Sequence, residues 1–497
     1  MKKLFIGLAA LAIAAMSVGA GAENPKREFR GAWLHTIFQK QYKEKQGAEL
    51  REYLIDQLDK LQAAGVNAVL FQVRPSADAL YPSELEPWSR FLTDGGKAPE
   101  PFWDPLQFMI DETHRRGMEF HAWLNPYRVT TSKDEKLASS HIFHREPWRF
   151  VDYADNKKYF DPGLPENRTF IEDVVMDIIN RYDVDGIHFD DYFYPYPVEG
   201  ADFPDDKSYA KYGNGMDRGD WRRQNVDLLI EGIHNRIASS AKPWVRFGIS
   251  PFGIWRNKAS DPRGSNTNGL QNYDALYADV LLWDQKGWID YLLPQLYWEL
   301  EHKRASTLEL NRWWDQAGLR RHLYIGQDAH NIMTHPDIAP STNPTQLAHK
   351  IALSREQKNT HGNCWWPGYT ITSNFNGLAD SLATTHQSTP AIVPTYDWMS
   401  TAVPAAVTEA AYDKAANTLT WKTVAPAGGV NDPVRYVVYR FPLDSKTTDF
   451  EKAANIAAIT GEKTFKTDKP GLYFVTVLNH VNRESRPSKP VKVTPKK

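Results

Sequence analysis

The sequence predicts an α/β protein, a (β/α)₈ TIM barrel followed by a small all-β sandwich. Eight short, mostly apolar segments alternate with helical patterns from Arg30 to about His386, the alternation that a parallel barrel requires. No glycine-rich phosphate loop follows the first segment, which argues against an open doubly wound sheet. The tail then changes to period-two apolar alternation, the mark of strands with one buried face.

The strand candidates are Arg30–Thr36, Ala68–Pro75, Glu119–Arg128, Gly186–Tyr192, Val245–Trp255, Asp290–Glu299, His322–Asp328 and Asn363–Tyr369. Helical patterns intervene at Leu50–Ala64, Pro105–Arg116, Thr169–Arg181, Arg222–Ala238 and Gln346–Lys358. Asp104-Pro105 and Asn343-Pro344 read as helix openings, because a side-chain oxygen can accept from the free N–H groups of the first turn and proline needs no partner there. The repeat exceeds the roughly 250 residues typical of the fold, so the excess falls in the loops Tyr81–Glu100, Thr130–Glu166 and Tyr194–Asp220. All three follow strands and belong at the C-terminal mouth. The expected organisation is a leader over 1–22, the barrel over 27–386, a Ser/Thr/Pro-rich linker over 387–403 and the sandwich over 404–497. Within the sandwich, Thr418–Lys422, Val434–Arg440, Gly471–Leu478 and Val491–Thr494 alternate as strands.

The leader has Lys2 and Lys3, an apolar run from Leu4 to Ala15 and the small residues Ala20-Gly21-Ala22, the pattern of an exported protein's signal peptide. The apolar run is shorter than the about 20 residues a bilayer requires. Export to the periplasm or the extracellular side, with no transmembrane anchor after cleavage, is therefore expected. Loss of Lys2 and Lys3 leaves 57 basic against 61 acidic residues, a balance without the basic footprint of a nucleic-acid binder. Cys364 is the only cysteine, so no intramolecular disulfide forms, and its setting in Cys364-Trp365-Trp366 suits a buried small side chain. The chain carries 17 Trp and 23 Tyr, flat rings with a polar edge that match the apolar faces and polar rims of sugars.

Barrel enzymes place reacting groups at the C-terminal strand ends. The fourth strand reads Gly186-Ile187-His188-Phe189-Asp190-Asp191-Tyr192, and period two puts His188 and Asp190 on one face and Ile187 and Phe189 on the other. The apolar pair suits the helix layer, leaving His188 and Asp190 toward the axis. Asp191 is out of phase unless a turn re-aims it. The sixth strand reads Leu293-Pro294-Gln295-Leu296-Tyr297-Trp298-Glu299 and aligns Gln295, Tyr297 and Glu299. Glycoside hydrolysis needs two carboxyl groups about 5–10 Å apart, one as nucleophile or base and one as proton donor. Asp190 and Glu299 come from next-but-one strands, so such a gap is reachable. Other strand ends supply sugar-binding candidates: Trp33 and His35, Gln72 and Arg74, His121, Trp123, Asn125, Tyr127 and Arg128, Tyr192, Trp255 and Arg256, Trp298, and Trp366 with Tyr369. The fifth strand ends Ser250-Pro251-Phe252-Gly253-Ile254-Trp255-Arg256 and supplies no carboxylate; Gln327 and Asp328 come from the end of the seventh.

Phe71-Gln72-Val73-Arg74-Pro75, Ala122 to Arg128, Gly186 to Pro195, Ile249 to Asn257 and Pro294 to Trp298 together resemble the glycoside-hydrolase-like ten family. The resemblance spans roughly residues 27–385. It implies a bacterial envelope barrel with glycosidase activity on cell-wall glycans; a related divisome-localised glycosidase cleaves peptidoglycan strands stripped of their peptides. The family is also distantly similar to α-galactosidase-type barrels, with the nucleophile after strand four and the acid after strand six. That carry-over implies Asp190 as nucleophile or base and Glu299 as acid; the enzyme reading adds Asp191 as a group that orients or binds the sugar. Trp421, the Tyr436–Tyr439 strand and Tyr473 resemble a fibronectin type III domain, for which a spacer or stabilising role is expected. No cofactor is expected. Two other readings stay open: a carbohydrate-binding barrel without catalysis, and a metal-dependent hydrolase using His188, Asp190, Asp191 and His35 or His121. The second lacks any H-x-H or H-E-x-x-H spacing.

Overall fold

The computed structural model describes residues 23–340 and 343–494; the expected leader lies outside the described residues. Eight parallel strands close into a barrel: Phe29–Leu34, Ala68–Arg74, Glu119–Leu124, Gly186–Phe189, Arg246–Ile249, Tyr291–Leu292, His322–Asp328 and Thr360–Trp366. Closure is made by the eighth strand pairing with the first, where Gly31 lies between Cys364 on one side and Ala68 on the other. The first four strands are buried along their whole length, as expected when helices cover the outside and side chains fill the inside.

Several expected strands extend past the observed ladder, because their last residues turn into mouth loops. The sixth is the shortest, since Pro294 has no N–H to give. Its path nevertheless continues: Gln295 N donates to the Pro251 carbonyl (3.0 Å) and Leu296 N to the Gly326 carbonyl (2.9 Å). Helices Gly47–Ala63, Pro105–Arg115, Pro165–Arg181, Arg218–Ala238, Val280–Lys286, Thr307–Gln316 and Leu347–Glu356 pack outside. Asp104 caps the second of these, accepting from the Leu106 and Gln107 N–H groups. The helix Thr307–Gln316 was not expected, although Ser306 and Glu309 have capping-box spacing and the Ser306 hydroxyl accepts from Glu309 N–H.

Aromatic rings fill the lower barrel. Phe29 stacks on Tyr324 with centroids 4.0 Å apart, and Tyr291 lies beside both. Gly248 of the fifth strand has no side chain because the Tyr291 ring occupies the space a Cβ would need. Cys364 is buried.

Residues 387–403, expected as a linker, lie along the N-terminal end of the barrel. Ile392 bridges in parallel to Arg27, and Ile392, Val393 and Tyr396 are buried. Beyond them are two antiparallel sheets. One orders Glu409–Asp413, Thr418–Lys422 and Thr464–Lys466; the other orders Ile456–Thr460, Arg435–Phe441, Gly471–Leu478 and Val491–Val493. Between them Leu419, Trp421, Tyr436, Tyr473 and Val475 form a core, with Trp421 edge-on to Tyr436 at 5.4 Å. No helix among the described residues is long and apolar enough to cross a membrane.

Candidate active site

The fourth strand ends at Phe189, and the chain then brings both acids into the mouth. Asp190 is buried, and its carboxyl accepts from Trp123 Nε1 (3.1 Å) and from Asn125 Nδ2 (3.2 and 3.3 Å). Trp123 and Asn125 are in phase on the neighbouring third strand and its extension, so strand geometry alone delivers two donors to one carboxyl. Asp191 is re-aimed by the turn. Its Oδ1 accepts from Gln295 Nε2 (3.1 Å), and its Oδ2 accepts from the Tyr196 hydroxyl in a short contact. Gln295 reaches it because the sixth strand continues past Pro294.

Burial pushes the Asp190 carboxyl up to about 7, with Asp191 adding to the rise and the Arg128 guanidinium opposing it. Asp191 is also raised by burial, against the hydrogen bonds from Tyr196 and Gln295. Arg128 is oriented by its own backbone N–H donating to Asn125 Oδ1 (2.9 Å) and by its side chain donating to the Pro75 carbonyl (2.8 Å). Its guanidinium stacks over the Tyr192 ring at 5.3 Å, which places the cation beside the acid pair.

Aromatic residues wall this pair. Trp366 is partly exposed and meets His35 at 4.7 Å, Trp123 at 5.9 Å and Trp33 at 6.5 Å. Burial lowers His35 to about 4, so the ring is neutral at ordinary pH. Trp33 Nε1 donates to His188 Nε2 (3.1 Å). Tyr297 is partly exposed, and its hydroxyl is raised by burial and by Asp191. Trp298 stands edge-on to Phe252 at 5.5 Å, its carbonyl accepting from the buried Lys350 Nζ (2.6 Å). Burial lowers Lys350 to about 7.

Other expected residues lie elsewhere. The register shifts between Gln72 and Arg74, and Arg74 lies beneath the mouth, Nη1 donating to the Pro126 carbonyl (3.0 Å) and to that of Asn125. Arg74 is fully buried on Glu86, with Nε–Oε2 at 2.6 Å and Nη2–Oε1 at 2.5 Å. Gln72 Oε1 accepts from the Thr36 and Ile37 N–H groups (3.0 and 3.1 Å) and braces the first loop. Tyr127 is buried among Arg168, Asp161 and Glu172. Trp255 stacks on Trp313 of an outer helix at 5.9 Å, and Arg256 is paired to Asp261 and Asp274. These five residues support loops and outer walls.

Glu299 sits at the rim. Its Oε1 accepts from Asn331 Nδ2 (3.3 Å) and pairs with His335 (3.3 Å), both on or just after the short helix that follows the seventh strand. Against the pull of partial burial, the Asn331 hydrogen bond and His335 hold its carboxyl below the usual range. Tyr196 was missed although it follows Asp191 by five residues, because it lies past the strand end, where period two no longer says which way a side chain faces. Among the described residues no three His, Cys, Asp or Glu side chains converge as a metal site. A hollow of about 1200 Å³ opens at the other end of the barrel, near Arg321, His322, His361 and Trp398, and contains none of the candidate residues.

A closed parallel barrel with two buried acids and an aromatic wall at its C-terminal mouth has the architecture of a glycosidase-type barrel. The model of the family Glycosyl hydrolase-like 10 matches residues 28–341, and the chain belongs to that family. It is 38% identical over 477 residues to "Glycosyl hydrolase YngK" of Bacillus subtilis (strain 168), covering 93% of each chain. It is 38% identical over 333 residues to "Glycosyl hydrolase DigH" of Escherichia coli (strain K12), covering 62% of this chain and 74% of that one. Among solved structures, the PgaB (BpsB) glycoside hydrolase domain from Bordetella bronchiseptica aligns over 72% of this chain and 99% of its own, with 13% identity and a TM-score of 0.47.

Proposed function

We propose that this protein is an exported glycoside hydrolase that cleaves an O-glycosyl bond in a bacterial cell-wall glycan of the peptidoglycan type. The reading rests on Asp190, a carboxyl buried at the end of a barrel strand, clamped by Trp123 and Asn125 and raised to about 7 under an aromatic wall. Two acids whose surroundings drive their proton affinities apart divide into donor and acceptor. Asp190 therefore serves as the proton donor, and Glu299, held ionised at the rim, as the nucleophile or base. This exchanges the roles expected by analogy with α-galactosidase-type barrels. Asp191 orients the sugar or its neighbour. Trp366, Tyr297 and Trp298 offer the faces on which sugar rings stack. The C-terminal sheets are proposed to be fibronectin type III-like, and the protein to act in the periplasm or outside the cell.

The test is incubation of the purified chain with peptidoglycan glycan strands stripped of peptides, with products analysed by mass. Released oligosaccharides are expected from the natural protein, and from Asp190→Asn about a hundredth as many or fewer, with glycan binding retained. A folded Asp190→Asn protein that turns over at the natural rate refutes the assignment. One observation favours a sugar-binding barrel without turnover: Glu299 bonds to Asn331 and His335 and to none of the residues around Asp190. Binding without any product after long incubation decides for that reading.

A further inference from the structure

Beneath the mouth a hydrogen-bonded column runs through the barrel to the C-terminal domain, and its direction follows from its two ends. Trp33 Nε1–H can only donate, so His188 Nε2 accepts (3.1 Å) and the ring proton lies on Nδ1. That proton goes to the Tyr291 hydroxyl oxygen (3.0 Å), and the Tyr291 hydroxyl donates to His121 Nδ1 (2.9 Å). His121 Nε2–H then donates to Glu119 Oε2 (3.0 Å), and a carboxylate only accepts. Both ends impose the same polarity. His188 and His121 are thereby opposite tautomers.

The lower end is held from outside the barrel. Glu119 Oε1 accepts from Arg435 Nη2 (3.0 Å) and Asn482 Nδ2 (2.9 Å), both of the C-terminal domain, and is ion-paired with Arg246 of the fifth strand. Arg435 Nη1 also pairs with Asp185 (3.1 Å). Glu119, His121, His188 and Tyr291 are 0% exposed and Arg435 3%, so no water substitutes for a lost partner. The upper end supports the mouth twice. Trp33 backs Trp366, and His188 Nε2 lies 3.0 Å from Ser250 Oγ. The Ser250 carbonyl accepts from Gln295 Nε2 (2.9 Å), the same amide that grips Asp191.

We propose that Arg435 and Asn482 of the C-terminal domain are positioning residues for the mouth, acting through Glu119 and the column to keep His188 as the Nδ1–H tautomer beneath Trp33 and Ser250. Without them Glu119 is held ionised by Arg246 alone; a Glu119 that takes up a proton donates it to His121 Nε2, which leaves the His121 proton on Nδ1. A His121 carrying its proton on Nδ1 reverses the Tyr291 hydroxyl, which forces the His188 proton onto Nε2. That proton then points at the Trp33 N–H, donor against donor. The C-terminal domain is on this account part of the barrel floor rather than a spacer. The inference rests on the proposed function only in taking the mouth as a sugar site.

The test uses the full chain labelled with ¹⁵N-histidine and ¹⁵N-tryptophan. Long-range ¹H–¹⁵N spectra at pH 7 read which ring nitrogen carries each proton, with assignment from His121→Gln and His188→Gln. His188 protonated on Nδ1 and His121 on Nε2 are expected in the natural protein. Arg435→Met is expected to populate the other His188 tautomer, to shift the Trp33 indole N–H signal and to weaken binding of peptide-stripped glycan strands about tenfold, the size of one lost hydrogen bond. Should Arg435→Met not fold, Asn482→Gly decides: it removes the other C-terminal donor to Glu119 and suits the left-handed backbone at that position. The proposal is overturned by a natural protein with His188 on Nε2, or by a folded Arg435→Met or Asn482→Gly with natural His188 and Trp33 signals. Natural tautomers with no glycan binding instead count against the proposed function alone.

Discussion

Replacing Asp190 with asparagine separates the chemical role of this carboxyl from the stability it costs. A carboxyl that ionises near 7 instead of near 3.8 keeps its proton in the folded state to higher pH than in the unfolded chain. Stability is therefore fully present below about pH 4 and falls as pH rises toward about 7. At about 1.36 kcal/mol per pH unit, the ionised carboxylate lowers stability by about 4 kcal/mol above neutrality. Asparagine keeps the shape and one acceptor for Trp123 and Asn125 but has no proton to lose. Mis-set hydrogen bonds of its amide return about 1 kcal/mol. Asp190→Asn is thus expected to match or fall slightly below the natural protein at pH 4.5 and to exceed it by about 2–3 kcal/mol at pH 8.5. Urea denaturation followed by Trp fluorescence at a series of pH values measures the difference. Activity on stripped glycan strands is expected to drop about 10²–10⁴-fold, the share of a general acid, and activity of the natural enzyme to fall as pH rises through about 7. A stability difference that is flat with pH, or that favours aspartate at high pH, refutes the burial argument whatever happens to activity.

Arg74→Met leaves Glu86 buried without its cation and the Asn125 and Pro126 carbonyls without their donor, and is expected to cost about 3–5 kcal/mol in chemical denaturation; a variant as stable as the natural protein refutes the buried pair. Trp366→Ala removes the partly exposed ring between His35, Trp33 and Trp123 and is expected to weaken glycan binding about tenfold by calorimetry, and unaltered binding removes Trp366 from the sugar-facing wall. Gly248→Ala drives a methyl into the Tyr291 ring and is expected to lower stability by about 3 kcal/mol or more; a variant as stable as the natural protein shows that the ring has room to move.

Much of the barrel was legible because parallel strands buried on both sides read as apolar runs between helix patterns. Ala68–Arg74, Glu119–Leu124 and His322–Asp328 lie within their expected bounds. Period two also placed His188, Trp123, Asn125 and Asp190, since alternation along a strand is local. It failed where the ladder stops being regular. The shift at Gln72/Arg74 rotated Arg74 onto Glu86, and the chain beyond the fifth strand carried Trp255 and Arg256 outward. The helix Thr307–Gln316 was readable from Ser306 and Glu309 and was missed among its tryptophans. The strands Glu409–Asp413 and Ile456–Thr460 were missed because their alternation is carried largely by alanines.

By itself the sequence determined the order of the eight barrel strands and the two acids at the end of the fourth. These follow from neighbours in the chain, whose spacing dictates which face they share. Only the tertiary structure decided that Asp191 turns to Gln295 and Tyr196, that Glu299 stands at the rim with Asn331 and His335, and that Arg435 reaches Glu119. Three of these contacts join residues about thirty to three hundred positions apart, and the fourth, Tyr196 to Asp191, depends on a turn where period two has ended; neither leaves a local pattern along the chain.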